Sequence, residues 1–161
     1  MKLRLIVAVS VILFGLSSCG ANPRLVDHSF SFNAVWDSPN IEVLNYRYGD
    51  SKQPGARPPE WALQGGKVAQ RTGISGPMLL GEDLYVKWKI KSTGEVFEDT
   101  VDLRKRLPDD IAQHHVYFIV KESQLYVYLI SPERRPVELP PNGPRAYQHL
   151  KAVSIYPDRV K

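Results

Sequence analysis

The sequence predicts a mainly β domain: an antiparallel sheet or small sandwich built from hairpins, with one short helix and long Gly/Pro-rich loops. Three observations carry that expectation. Apolar and polar residues alternate at the period of a strand around residues 84–91, a second run over 116–130 is apolar on both faces, and thirteen prolines with eleven glycines argue against a helical bundle. With 43% hydrophobic and 24% charged residues in 161, the chain has ordinary globular composition, which excludes wholesale disorder, collagen and coiled coil.

The clearest alternation is Leu84-Tyr85-Val86-Lys87-Trp88-Lys89-Ile90-Lys91. Leu84, Val86, Trp88 and Ile90 share one face, and Trp88 is expected in the core. A turn at Thr93-Gly94 returns the chain from Glu95 to Leu103. A two-residue loop pairs Ile90 with Phe97, Val86 with Val101 and Leu84 with Leu103, and sets Glu98 against Lys89 and Asp102 against Tyr85. Asp99 is the misfit, because this register places it beside Trp88 on the apolar face.

The second hairpin turns at Glu122-Ser123 and sets Val116, Phe118 and Val120 against Leu129, Val127 and Leu125. Its reverse face carries Tyr117, Ile119, Tyr126 and Tyr128, either as a second core or as an interface. Ile41 to Tyr48 and Lys151 to Tyr156 are further strand candidates, with Ser29 to Trp36 a weaker one. The one short helix is expected at Pro108 to His114, with proline at its start and Asp109 and Asp110 in its first turn. Two segments read as loops. Gly49 to Gly81 holds seven glycines and four prolines, and Pro132 to Pro144 holds five prolines.

Residues 1–18 read as a signal peptide: Lys2 and Arg4, an apolar run from Leu5 to Leu16, then Ser17 and Ser18. The run is about a dozen residues, too short to span a bilayer. Removal of that leader lowers the net charge from +4 to +2, which gives little support to nucleic-acid binding. Residues 19–28 are then a tether and 29–161 a single periplasmic domain.

Leu16-Ser17-Ser18-Cys19 resembles the bacterial lipobox. The resemblance implies cleavage before Cys19 and acylation there, and Gly20 resembles the next residue of lipoproteins sent to the outer membrane. Several acyl chains would hold the domain there stably.

The sequence carries no enzyme signature. Gly73-Ile74-Ser75-Gly76 is a near miss for a nucleophile elbow, since Pro77 replaces the final glycine, and it reads as a glycine-rich turn. His114 and His115 would face opposite ways on a strand, and His28 and His149 have no partner at ligand spacing. All four read as surface or capping residues, and no metal or cofactor is expected. Glu95, Glu98, Asp99 and Asp102 read as cross-strand charge partners. Arg104-Lys105-Arg106 and Arg134-Arg135 read as solvated surface or as attraction to anionic lipid.

Asn45-Tyr46-Arg47-Tyr48-Gly49-Asp50, the glycine-rich stretch after it and Leu84-Tyr85-Val86-Lys87-Trp88 resemble small periplasmic lipoproteins of Gram-negative bacteria. Some of these families are encoded beside type VI secretion effectors as immunity proteins. The resemblance implies a protein-binding module on the periplasmic face of the outer membrane. The other expectation is a structural or envelope-maintenance lipoprotein without a toxin partner. Partner contacts are expected at Tyr46, Trp61, Tyr126 and Arg135.

Overall fold

A computed structural model describes residues 24–134 and 143–157. Two sheets pack face to face. In chain order the elements are β1 (Leu25–Asn33), a one-turn helix α1 (Ala34–Asp37), β2 (Ile41–Tyr48), a second one-turn helix α2 (Glu60–Leu63), β3 (Arg71–Leu79), β4 (Asp83–Ile90), β5 (Val96–Asp102), β6 (His115–Lys121), β7 (Gln124–Arg134), a 3-10 turn at Arg145–Tyr147, and β8 (Leu150–Tyr156). The larger sheet has the order β3-β1-β6-β7-β8 and the smaller β2-β4-β5. Neighbours run antiparallel except β1 and β6, which pair in parallel. Among the described residues no helix is long and apolar enough to cross a membrane.

The core lies between the sheets. Phe30, Phe32, Phe118 and Val127 come from the larger sheet and Val43, Tyr48, Trp88 and Val101 from the smaller, all fully buried. Phe30 stacks on Tyr48 and Phe32 on Phe118, with ring centroids 4.6 and 4.5 Å apart. Trp88 is in that core, as its alternation demands, and its Nε1–H donates to the Glu122 carbonyl at 2.9 Å.

The Val116–Ile130 hairpin has the expected register, Val116 on Leu129 and Val120 on Leu125. Its reverse face is largely a second core. Tyr117, Ile119, Tyr128 and Ile130 are buried beneath Tyr126, Tyr147, Leu150 and Ala152.

The first hairpin is offset by two residues from the expected register. Trp88 sits opposite Phe97 and Leu84 opposite Val101. The connection uses Lys91 to Gly94, with Gly94 at φ +78° and its N–H on the Ile90 carbonyl. A shift of two preserves which face each residue shows, so the core is unchanged and only the polar partners move. Glu98 faces Lys87 rather than Lys89 and accepts from the Tyr85 hydroxyl at 2.8 Å. Lys89 pairs with Glu42, and Asp102 holds Arg104 at 3.1 Å rather than facing Tyr85. Asp99 is no misfit, because it accepts the Tyr156 hydroxyl at 2.6 Å across the open end of the sandwich.

Further expectations are corrected. Pro108 to His114 forms turns, not a helix, because Asp110 caps the Ala112 N–H at 2.9 Å and Gln113 adopts φ +62° while Ile111 is buried. The expected loop from Gly49 to Gly81 contains α2 and the nine-residue strand β3. Gly73 to Gly76 is therefore mid-strand rather than a turn. The expected tether overlaps the sheet, since β1 starts at Leu25 with Leu25 opposite Leu79. The leader, Cys19 and residues 135–142 lie outside the described residues, whereas 132–134 belong to β7.

Candidate partner-binding surface

Of the four expected partner contacts, the structure displays one. Tyr46 is buried in the sandwich, its ring edge-on to Phe32 at 4.9 Å, because the bulge between Val43 and Asn45 turns it inward. Tyr126 is half-buried over the second core. Arg135 lies outside the described residues. Trp61 is 66% exposed.

Trp61 is held rather than loose. It sits on the single turn of α2, where the Gln64 N–H meets the Glu60 carbonyl at 3.0 Å and the Gly66 N–H meets the Trp61 carbonyl at 3.2 Å. Gly65 takes φ +104°, and a Cβ on Gly66 would lie 2.7 Å from the indole ring. Only glycine lets the backbone pass behind that ring. The segment after α2 then seals the edge of β2. The Gln70 side-chain amide accepts from the Val43 N–H at 2.8 Å and donates to the Val43 carbonyl at 2.9 Å.

Leu63, on the same turn and also exposed, borders a depression of about 320 Å³ with Arg47, Arg57, Pro58 and Tyr85. The charges there are unequal. Arg47 is paired with Asp83, but Arg57 reaches only the carbonyls of Ser51 and Gly49, at 3.1 and 3.4 Å, and its buried Nε has no partner. Burial pushes the Tyr85 hydroxyl above its ordinary range, with Glu98 adding to the rise. The hollow thus offers apolar walls, a neutral phenol and a guanidinium without a carboxylate.

The chain matches no protein-family model, no curated protein and no solved structure.

Other polar groups are satisfied internally. His28, expected at the surface, is 2% exposed. Its Nδ1–H fits the Val26 carbonyl and its Nε2 the Tyr48 hydroxyl, each at 2.8 Å, and burial lowers its pKa. Burial pushes His115 down to about 4, with the nearby His28 adding to the effect. His115 Nε2 lies 2.7 Å from Ser31 Oγ, the spacing of a base and a hydroxyl nucleophile. Ser31 sits mid-strand between β3 and β6, so the backbone N–H groups beside it belong to the ladder and leave no donor for an oxyanion. Among the described residues no three His, Cys, Asp or Glu side chains group as metal ligands.

A hollow of about 580 Å³ opens where the described chain begins. Leu79, Leu80, Leu103 and Leu107 form its floor, and Arg24 and Arg104 stand at its rim. Arg104 is tied to Asp102 and Glu82, and Arg106 donates to the Ile155 carbonyl at 2.9 Å, so this basic run is largely paired. Sequence reasoning missed Arg57 and the half-exposed Leu63. The Pro58-Pro59 pair ahead of a lone tryptophan was the available signal.

Proposed function

We propose that the chain is an outer-membrane-anchored lipoprotein whose β-sandwich binds another protein in the periplasm. Its most concrete form is an immunity protein that covers the active site of a type VI secretion effector. The observation that carries this reading is Trp61, exposed on α2 with the Gly66 backbone packed close behind its ring. A rigid aromatic loses little conformational freedom on binding and is the commonest anchor of protein interfaces. Arg57, which lines the neighbouring hollow with Leu63 and meets only the Ser51 and Gly49 carbonyls, suits an acidic side chain on the partner. A protein that acts by covering an active site needs no chemistry of its own.

The test is co-expression. Each secreted enzyme encoded beside this protein is produced in the periplasm with and without it, and cell survival is scored. One of them is expected to be toxic and to be neutralised and bound. Trp61→Ala should weaken that binding by about 2 kcal/mol, roughly 30-fold. If no neighbouring product is toxic, or none is neutralised or bound, the reading fails.

A further inference from the structure

The free edge of β3 has a defined hydrogen-bonding pattern. The Ala34 N–H meets the Gln70 carbonyl at 2.9 Å, and the Ser29 N–H meets the His114 carbonyl at 3.0 Å. With the β1–β3 register, these two bonds fix the parity of the ladder. Even-numbered residues of β3 bond inward to β1, and Arg71, Gly73, Ser75 and Pro77 turn their backbone groups outward. All four are exposed.

One half of this edge is closed. Pro77 has no N–H to offer, and its carbonyl already accepts from Gln53 Nε2 at 3.1 Å. Proline and an edge-covering side chain are ordinary protections against strand addition. Among the described residues, the other half, Arg71 to Ser75, has neither a proline nor a side chain bonded along its edge.

The surface beside the open half is shaped. Gly73, Ser31 and Tyr117 lie in one row across the sheet, so two small residues form a trough that ends at a wall of Tyr117 and Tyr147. The hollow measures about 390 Å³. A Cβ on Gly73 would meet only Ser31 Cβ, at 3.7 Å. Arg71 stands at one end of the trough.

We propose that β3 is a strand-addition site, in which an extended segment of a partner protein pairs with Arg71, Gly73 and Ser75. The segment's residue opposite Gly73 is large and lies across the trough, and its residue opposite Arg71 is acidic. An antiparallel segment then reads large–x–acidic from its N-terminus, because it meets Gly73 before Arg71. Backbone pairing supplies most of the affinity in this mode and the alternate side chains supply selectivity. The inference rests on the protein-binding reading above but uses a different surface from Trp61.

The test takes the full chain, purified in detergent and labelled with nitrogen-15. The probe is the capped hexapeptide Val-Thr-Phe-Thr-Glu-Val. In the free protein the amides of Gly73 and Ser75 should exchange quickly and those of Thr72 and Ile74 slowly. On adding the peptide, Gly73 and Ser75 should become protected. Replacing the peptide's glutamate by lysine should weaken binding about fivefold, the scale of one exposed ion pair. Gly73→Lys fills the trough and should abolish protection while leaving the fold intact, as its unchanged spectrum elsewhere would show.

Binding without protection of Gly73 and Ser75, equal affinity for the lysine peptide, or no binding at all would overturn the proposal. Protection that rises with protein concentration in the absence of peptide would make the occupant a second copy of the chain, and would also overturn it. Failure here leaves the Trp61 reading standing if a neighbouring toxin is still neutralised by Gly73→Lys. Failure of that neutralisation assay leaves the peptide result standing.

Discussion

Lowering the pH from about 7.5 to about 4.5 should weaken the fold through His115, and His115→Gln should remove most of that contribution. His115 lies against Tyr147, with ring centroids 4.6 Å apart, and beside Ser31. Asp37, the nearest buried carboxylate on that face, already accepts the Tyr117 hydroxyl at 2.7 Å and the Arg145 N–H at 3.0 Å. Burial holds the folded His115 pKa near 4, against an ordinary histidine value of 6.5. Between those values the unfolded chain takes up a proton that the folded chain refuses. The His115 contribution is therefore complete above pH 6.5, falls as the pH drops towards about 4, and levels off below that. Each unit costs about 1.4 kcal/mol, so the whole interval amounts to about 3 kcal/mol. His28, whose pKa is also lowered by burial, adds a loss in the same direction that the variant keeps. Urea unfolding at several pH values, with wild type and variant side by side, measures the difference. Equal pH slopes in the two proteins, or a His115 ring titration in the folded state at or above 6.5, would refute the reasoning.

Trp88→Ala removes a fully buried ring and its bond to the Glu122 carbonyl, and should cost roughly 3–5 kcal/mol, read as a lower urea midpoint at unchanged slope. Gly81→Ala places a methyl 2.6 Å from the Tyr48 ring and should cost about 1–3 kcal/mol in the same assay. Cys19→Ala should abolish palmitate labelling and membrane attachment, checked by metabolic labelling and cell fractionation.

The core was legible wherever side chains alternate. Leu84 to Ile90 shows its period directly, Val116 to Val120 is apolar throughout and buried on both faces, and a register error of two could not disturb the inward set. β3 was not legible, because its outward residues are Arg71, Gly73, Ser75 and Pro77, the composition of a loop. An edge strand tolerates them since those positions face away from the ladder. The Pro108 to His114 segment misled for the opposite reason: Asp110 suits a helix start and an Asx turn equally, and its bond to the Ala112 N–H, with Gln113 at φ +62°, makes turns of it. Trp61 was legible as a lone tryptophan in a Gly/Pro-rich stretch. Tyr46 was not legible as core, because the bulge in β2 that turns it inward leaves no mark in the composition.

The parallel pairing of β1 with β6 has a consequence for how the chain is made. The Ser31–His115 contact joins residues 84 apart in sequence, and β1 lies inside the sheet rather than at its rim. β1, the first of the described strands to emerge during synthesis, must wait until more than half of the chain has followed before its second neighbour arrives. Such non-local closure slows folding and leaves an apolar strand edge exposed in the meantime. A chain truncated after β5 should therefore hold β1 with one side unpaired and self-associate, while the complete chain, once β6 has docked, stays monomeric along that edge.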